Sequence, residues 1–398
     1  MRIVHTSDWH LGRTFHGVDL LDDQRRALSH LAALVAEEAA DAVVVAGDVY
    51  DRSVPSADAV QVYDEGLAQI AAAGAQIVVT SGNHDSATRL GAGSSFAAAG
   101  GLHLRTSIGS IADPVILTDA HGEVAVYGIP YLEPDTARRQ LGIDEACGHT
   151  AVLEAAMDRV RADLAGRDAR SVVVAHAFVS GAAASGSERS ISVGGVETVA
   201  AEVFSGADYV ALGHLHSPQR VTDTVRYSGS LLPYSFGERT HRKAVWVIDL
   251  DADGVAEVRK RELPLVRGLS SLRGTLEELL TDDRFADAED HYVEAALTDD
   301  VRPLDAMRRL RERFPHAVHV QWDRPHAGSG IDYRSRVRGR TDAEIIRSFI
   351  EDVRDEPTKG ERAIIERALR DVVGEPEADA TEGELALFAL DAIVAESA

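Results

Sequence analysis

Five short apolar runs, each closing on a turn that carries Asp, His or Asn, constrain this chain more than any other feature. They occupy residues 3–6, 42–46, 76–80, 171–175 and 208–212. Runs with no polar alternation suit strands buried on both faces, as in a mostly parallel sheet with helices on either side. The intervening sequence agrees. Residues 24–38 have helical spacing with Leu28, Leu31, Leu34 and Val35 on one face, and residues 59–72 predict a second helix. A further strand is expected at 124–129. The alternation of strand and helix indicates an α/β layered fold.

The texture changes after residue 221. Strands are expected at 221–227, 243–250 and 255–263, with Asp253-Gly254 as a hairpin turn. Pro264 suggests a domain exit, so the first domain is placed at residues 1–265. Residues 266–324 predict a small α+β domain: helix 269–280, strand 291–297, helix 303–314 and strand 317–322. Residues 325–340, rich in Gly, Ser and Arg, are expected to be a linker. Residues 341–398 predict a helical region with helices at 342–353, 361–373 and 382–395. Ile345, Ile346, Phe349, Ile350 and Val353 make one apolar stripe there, and Ile364, Ile365, Ala368, Leu369 and Val372 another.

The 398 residues are 45% hydrophobic and 27% charged, an ordinary globular composition. No apolar stretch reaches the length of about 18 residues needed to cross a bilayer, so no membrane role is expected. Met1–His5 leads directly into a strand without an apolar leader, which argues against a signal peptide. Cys147 is the only cysteine; it excludes an internal disulfide and suits a reducing cytoplasm. A net charge of −24 excludes a binder that attracts nucleic acid over its whole surface. Basic character is local: Arg302, Arg308, Arg309, Arg311 and Arg313, then Arg324, Arg334, Arg336, Arg338 and Arg340.

The turns carry the chemistry. Asp8-Trp9-His10 follows the first run, Gly47-Asp48 the second, and Gly82-Asn83-His84-Asp85 the third. His176 follows the fourth and Gly213-His214-Leu215-His216 the fifth. Open α/β sheets place their sites just beyond such strand ends. Carboxylate, amide and imidazole ligands without thiolate suit Mn²⁺, Fe²⁺ or Zn²⁺ rather than a structural thiolate zinc site. If each segment is extended, Asp8/His10 and His214/His216 project to one side as i, i+2 pairs. Such a pair grips one ion or places one ligand on each of two, and a lone Asp48 suits a bridge. Two ions roughly 3.5–4 Å apart polarise a phosphate and stabilise its leaving group. Each part also has an ordinary explanation: Asn83 as a turn former, His176 as a core histidine, Asp48 as a loop cap. Those explanations would have to coincide at five successive strand ends. Arg13, His16, Arg52 and Arg89 flank the motifs and are the candidate phosphate contacts, although arginines at loop tips are commonly just solvated.

The ordered set Asp-x-His, Gly-Asp, Gly-Asn-His-Asp, His, Gly-His-x-His resembles the calcineurin-like metallophosphoesterase superfamily. Thr6–Gly12, Ala46–Asp51, Ser81–Ser86, Ala211–His216, Tyr227–Ser230 and Phe236-Gly237-Glu238 are similar to the SbcD-type DNA-repair nuclease subunits within it. The likeness covers residues 1–265 well and is architectural beyond them. It implies a four-layer αββα sandwich with a small α+β capping domain and a helical C-terminal arm. By position it implies one metal on Asp8, His10, Asp48 and His216 and a second on Asp48, Asn83, His176 and His214, with two Mn²⁺ per subunit. His84 would be the catalytic histidine and Asp85 would orient it.

The residues after His176 (Ala177-Phe178-Val179-Ser180-Gly181) depart from the pattern, and Asp51 stands where some relatives carry another histidine. The resemblance further implies a cytoplasmic, nucleoid-associated nuclease of DNA repair, recombination and replication. It would act as a double-strand exonuclease and a single-strand or hairpin endonuclease on DNA ends and hairpins. Its partners would be a second copy, as a homodimer within a heterotetramer, and an SbcC-type coiled-coil ABC ATPase held by residues 341–398. Two other functions remain open: a phosphoesterase on small phosphodiesters, and a non-catalytic scaffold that binds DNA ends.

Overall fold

A computed structural model describes residues 1–143, 148–185, 187–188, 198–323, 337, 339–353 and 356–373. Cys147, Arg324, Arg334, Arg336, Arg338 and the helix expected at 382–395 lie outside the described residues. The elements begin with β1 (Arg2–Thr6), the β2–β3 ribbon (Thr14–Phe15, Val18–Asp19), α1 (Leu21–Glu38), β4 (Ala42–Ala46) and α2 (Ala57–Ala72). Then come β5 (Gln76–Thr80), α3 (Ala87–Leu90), α4 (Ser94–Ala97), β6 (Leu102–Leu104), β7 (Val115–Asp119), β8 (Gly122–Ile129) and α5 (Pro134–Leu141). They continue through α6 (His149–Leu164), β9 (Ala169–His176), β10 (Tyr209–Gly213), β11 (Gln219–Arg220), β12 (Val225–Tyr227), β13 (Ala244–Asp251) and β14 (Gly254–Glu262).

Two six-stranded sheets result, ordered β14-β13-β1-β4-β5-β6 and β11-β12-β10-β9-β8-β7. Their centres are parallel: β1 with β4, β4 with β5, β8 with β9 and β9 with β10. Side-chain alternation along each strand builds three cores. Val4, Val43, Val45, Ile77 and Val79 pack with Leu28, Leu31, Val62 and Ile70 of α1 and α2. Val173, Ala175, Val210 and Leu212 pack with Leu141, Val152 and Met157 of α5 and α6. The opposite faces, Ile3, Val44, Val78, Val172, Val174 and Ala211, meet one another between the sheets. Residues 1–265 are therefore layered α, β, β, α, and the strands lack polar alternation because both faces are covered. Each fully buried aliphatic side chain contributes about 1.5–3 kcal/mol, and a one-residue slip would exchange two cores at once.

Polar ties cross the inter-sheet core. His5 is wholly buried, and burial pushes its imidazole down to about 3, so it is neutral. Its Nε2 lies 3.0 Å from the Leu212 carbonyl, which can only accept, so its Nδ1 accepts from the Tyr209 hydroxyl at 3.0 Å. At the opposite end of the strands, Arg170 of β9 makes a two-pronged pair with Asp119 at 2.6 and 3.1 Å. It also donates to the carbonyls of Gly122 and Asp251, at 3.0 Å each, and so reaches the other sheet.

Beyond β14 the chain forms β15 (Leu269–Gly274), α7 (Leu276–Thr281), β16 (Tyr292–Leu297), α8 (Ala306–Arg313) and β17 (Ala317–Trp322), with the sheet order β15-β16-β17. The helix expected at 269–280 is corrected here. Its first half is a strand in which Leu269, Leu272 and Gly274 are buried and Ser271 and Arg273 exposed. Thr275 starts the helix: its hydroxyl accepts from the Glu278 amide at 3.2 Å while Glu278 accepts from the Thr275 amide at 2.8 Å. This sheet rests on α1, where the Tyr292 hydroxyl donates to Asp23 at 2.8 Å. Residues 1–297 and 304–321 form one compact unit; residues 298–303 and 322–398 form the other. In the second, helices Asp342–Val353 and Lys359–Val373 contact each other and leave Phe349 and Ile364 exposed. No helix among the described residues is long and apolar enough to cross a membrane.

The Arg170 guanidinium holds the Asp119 carboxyl well below the usual carboxylate range. A depressed folded pKa gives stability that is present above the unfolded value of about 4 and is lost as pH falls through the folded one. Asp119→Asn should therefore cost about 2–4 kcal/mol in urea unfolding at pH 7, with the gap to native protein narrowing below about pH 4. An equal gap at both pH values would refute this account.

Candidate metal centre

The site is assembled at the C-terminal ends of β1, β4, β5, β9 and β10. After β1 the chain leaves the pleat but stays paired with the segment following β4. The Asp8 amide donates to the Gly47 carbonyl at 3.1 Å, that of His10 to Asp48 at 3.0 Å and that of Leu11 to Val49 at 2.9 Å. Asp8, His10, Asp48 and His214 all have left-handed φ values, of 52°, 46°, 49° and 113°. The side chains thus do not converge through an extended i, i+2 pleat, as the spacing suggested, but through alternate backbone kinks. Non-glycine residues in that region cost on the order of 1 kcal/mol or more each, and such strain concentrates at functional sites.

Two glycines permit the close approach. Gly47 has φ 80°, and a Cβ there would lie 2.6 Å from His176 Nδ1 and 2.7 Å from the Gly82 nitrogen. A Cβ on Gly213 would overlap the Ala46 carbonyl oxygen. These contacts account for Gly preceding Asp48 and His214.

The seven expected ligands come together. Asp48 Oδ2 lies 3.7 Å from His10 Nε2 and 3.5 Å from His176 Nε2, between two groups of side chains. On one side, His10 Nε2 and His216 Nε2 are 3.0 Å apart, and a ring nitrogen of each lies within 4.8 Å of an Asp8 oxygen. On the other, His176 Nε2 lies 2.9 Å from Asn83 Oδ1, and the His214 ring sits edge-on at 5.4 Å. Asp8 also groups with Asp48 and His176, and its carboxylate accepts the His214 amide at 3.0 Å.

The donor set fits divalent cations. The six Asp and His members are all buried, at 4% exposure or less. His176 Nδ1 donates to the Ala46 carbonyl at 2.9 Å, which leaves Nε2 a bare lone pair facing Asn83 Oδ1 and Asp48 Oδ2. Three lone-pair atoms facing one another repel unless a cation lies among them. Burial raises the Asp8 carboxyl well above its usual range, and the Asp48 charge raises it further. Burial likewise lowers His10, His176 and His216, and lowers His214 to about 4, so the imidazoles are neutral and ready to ligate. Among the described residues no lysine or arginine pairs with Asp8 or Asp48.

His84 stands at the mouth, its side chain 10% exposed and its Nε2 4.0 Å from Asp48 Oδ2. Its Nδ1 is held by the Asp51 carbonyl at 2.8 Å, and its amide donates to Asp48 Oδ1 at 2.9 Å. Asp85 does not touch the ring it was expected to orient. Its carboxylate accepts the amides of Val49, Tyr50 and Gly82 at 3.1, 2.9 and 2.9 Å, locking the loops after β4 and β5 together. Burial, reinforced by the Asp48 charge, raises its pKa to about 7. The Asp51 side chain lies 3.7 Å from His10 Nδ1 and 3.6 Å from Arg13.

The candidate DNA contacts divide. Arg52 and Arg89 are exposed, the latter donating to the Ser53 carbonyl at 3.2 Å. Arg13 stacks 4.7 Å over the Tyr234 ring and donates to the Ser187 carbonyl at 2.9 Å. His16 packs against Phe236 and His319. In the basic stretch, Arg311 and Arg313 bond to carbonyls of their own unit, so they are structural as well as charged. Sequence reasoning missed Gln24 and Tyr234. Gln24 bridges the Gly12 amide and the His10 carbonyl at 3.0 and 2.7 Å, and the Tyr234 hydroxyl donates to the Trp9 carbonyl at 2.6 Å. Gln24 sits in a helix with nothing local to mark it.

The profile of the calcineurin-like phosphoesterase family matches residues 1–218. That of the Type 5 capsule protein repressor C-terminal domain matches residues 266–354. The SbcD subunit of nuclease SbcCD from Staphylococcus epidermidis is 28% identical over 361 residues, covering 89% of this chain and 94% of that protein. Among solved structures, a Thermus thermophilus protein has a TM-score of 0.39 at 16% identity, covering 67% of this chain and 99% of its own. A dimetal phosphatase from Danio rerio has a TM-score of 0.40 at 15% identity, covering 66% and 98%.

Because divalent ions bind the folded site and not the unfolded chain, they should raise the thermal midpoint, by about 2.7 kcal/mol of stability at a hundredfold excess over Kd. Asp48→Ala should abolish most of that gain in a calorimetric melt with and without MnCl₂. A variant stabilised as much as native protein would remove Asp48 from the ligand set.

Proposed function

The chain belongs to the calcineurin-like phosphoesterase family, and we propose that it is a two-metal DNA nuclease subunit. We propose that it cuts duplex ends as an exonuclease and single strands or hairpins as an endonuclease, in DNA repair, recombination and replication. Asp48 Oδ2, set between the His10/His216 and Asn83/His176 groups, is the observation that carries the two-metal part. The nuclease part is supported by likeness to the Staphylococcus epidermidis nuclease subunit over 89% of this chain. Mn²⁺ is the proposed ion, in keeping with oxygen and imidazole ligands. Bound there, a metal pair would polarise the phosphodiester and stabilise charge on the leaving oxygen.

The chain's own residues do the rest. His84, fixed through an Nδ1–H bond to the Asp51 carbonyl, presents Nε2 beside Asp48, where the doubly protonated ring would donate its Nε2 proton to the leaving oxygen. Arg13, braced by Tyr234 and Ser187, and exposed Arg52 and Arg89 would contact backbone phosphates. A cleft of about 640 Å³ adjoins the site through Tyr131, whose ring is 6.3 Å from that of His176. Its mixed lining includes Arg105, Thr88, Ser107 and Gln140 beside Leu104, Ile108 and Ala137, and it has room for a nucleotide.

The partner is proposed to be an SbcC-type coiled-coil ATPase, gripped by the helices Asp342–Val353 and Lys359–Val373 through apolar positions such as Phe349 and Ile364. A homodimer within a heterotetramer, working on the nucleoid in the cytoplasm, completes the proposal.

With Mn²⁺ present, His84→Ala should lower cleavage of duplex, hairpin and single-stranded DNA by about 10²–10⁴-fold while ion binding is kept. Full activity in that variant would remove His84 from the chemistry. Hydrolysis of bis-p-nitrophenyl phosphate without cleavage of any DNA would favour small substrates. Deleting residues 341–398 should abolish capture of the ATPase partner and leave Mn²⁺ binding intact; undiminished capture would place the contact elsewhere.

A further inference from the structure

One face of His216 is built with more charge than a single imidazole needs. Lys243 and Glu238 are buried side by side, with 3% and 0% of their side chains exposed, and their charged groups meet at 2.5 Å. The Lys243 ammonium uses its other two donors on the Ser230 hydroxyl at 2.9 Å and the His216 carbonyl at 2.8 Å. Glu238 Oε1 faces away from the lysine and accepts from the Ser187 hydroxyl and, at 3.4 Å, from the Tyr234 amide. Ser187 Oγ in turn lies 2.5 Å from His216 Nδ1.

Proton accounting gives this chain a direction. The Glu238 carboxylate, paired with the Lys243 ammonium, only accepts, so the single Ser187 proton is committed to it. Ser187 can then only accept from His216, which must carry its proton on Nδ1. The lone pair of His216 is thereby placed on Nε2, 3.0 Å from His10 Nε2. The Lys243 bond to the His216 carbonyl and the Glu188 bond to the His216 amide, at 3.1 Å, fix the same residue's backbone.

We propose that Ser187, Glu238 and Lys243 are positioning residues that set the tautomer of His216 and aim its Nε2 at one of the two metal ions. The proposal rests on the two-metal reading of the site and assigns a role to the Phe236-Gly237-Glu238 motif. None of the three residues is itself a ligand. They act through His216, as outer partners of metal-bound imidazoles do.

Glu238→Gln is close in shape but puts an amide next to Ser187. With its carbonyl drawn to Lys243, the amide N–H donates to Ser187, which must then donate to His216 Nδ1 and reverse the tautomer. Calorimetric titration of the full chain with MnCl₂ is the test, on Glu238→Gln, Ser187→Ala and Ser187→Thr. Glu238→Gln and Ser187→Ala should weaken one of the two Mn²⁺ sites by about 10–100-fold and leave the other near native, while Ser187→Thr, which keeps the hydroxyl, should stay near native.

Nitrogen-15 spectra of metal-free, histidine-labelled protein add a readout that general loosening would not move. The His216 signal, identified by its loss in His216→Asn, should show a protonated Nδ1 in native protein and a bare Nδ1 in Glu238→Gln. If Glu238→Gln does not fold, Ser187→Ala, changed on a half-buried loop, carries the titration. Native protein binding two ions with both variants binding them equally well would overturn the brace alone. Native protein that binds no Mn²⁺ would overturn the two-metal reading together with it.

Discussion

Two buried carboxylates, with no cationic side chain among the described residues to pair with them, are the constraint around which this site is arranged. Asp8 and Asp48 lie at the meeting point of the two sheets, surrounded by imidazoles that burial keeps neutral. Burying such charge uncompensated is costly, and the arrangement fits a cage for cations. The cage needs ligands from five strand ends, and so depends on both sheets being held in register. It also needs close approaches that glycine allows at positions 47, 82 and 213, and left-handed kinks at four of the candidate ligand positions.

The layers meet that demand by dividing each strand's side chains between two cores. Val43 and Val45 face the helices while Ala42 and Val44 face the other sheet, and Val172 and Val173 divide likewise. Because both sets are buried, the strands cannot slide relative to one another, and the loops beyond them inherit that rigidity. His5 ties the sheets within the core, and Arg170 does so at the end away from the site. The framework carries the strain of the kinked ligands, while Asp85 and Gln24 hold their main chain through amide and carbonyl bonds.

Much of this was legible along the chain. The apolar strands and the helices between them were readable because each is a local pattern with its own period. The candidate metal ligands were readable because each stands beside the end of such a strand. Legibility failed where the deciding partner is distant. Residues 269–274 look helical until Tyr292 and its strand lie beside them. Asp85 looks like a partner for its neighbour His84, yet its carboxylate finds three amides and the Asp51 carbonyl holds the ring. Ser187 and Lys243 lie 29 and 27 residues from His216, and nothing local marks either as its support.

The strand-end motifs by themselves determined the fold class, the place of the site at one edge of the sheets, and the donor set that Asp8, His10, Asp48, Asn83, His176, His214 and His216 bring to it. Those are properties of residue type and short spacing. Tertiary structure alone decided how the ligands converge, through kinks at Asp8, His10, Asp48 and His214 rather than a pleat. It alone decided which lone pairs face the cage, since that depends on the Ala46 carbonyl behind His176 and the Ser187 hydroxyl behind His216. A tautomer is set by the partner on the far side of the ring, and that partner arrives only when the chain has folded.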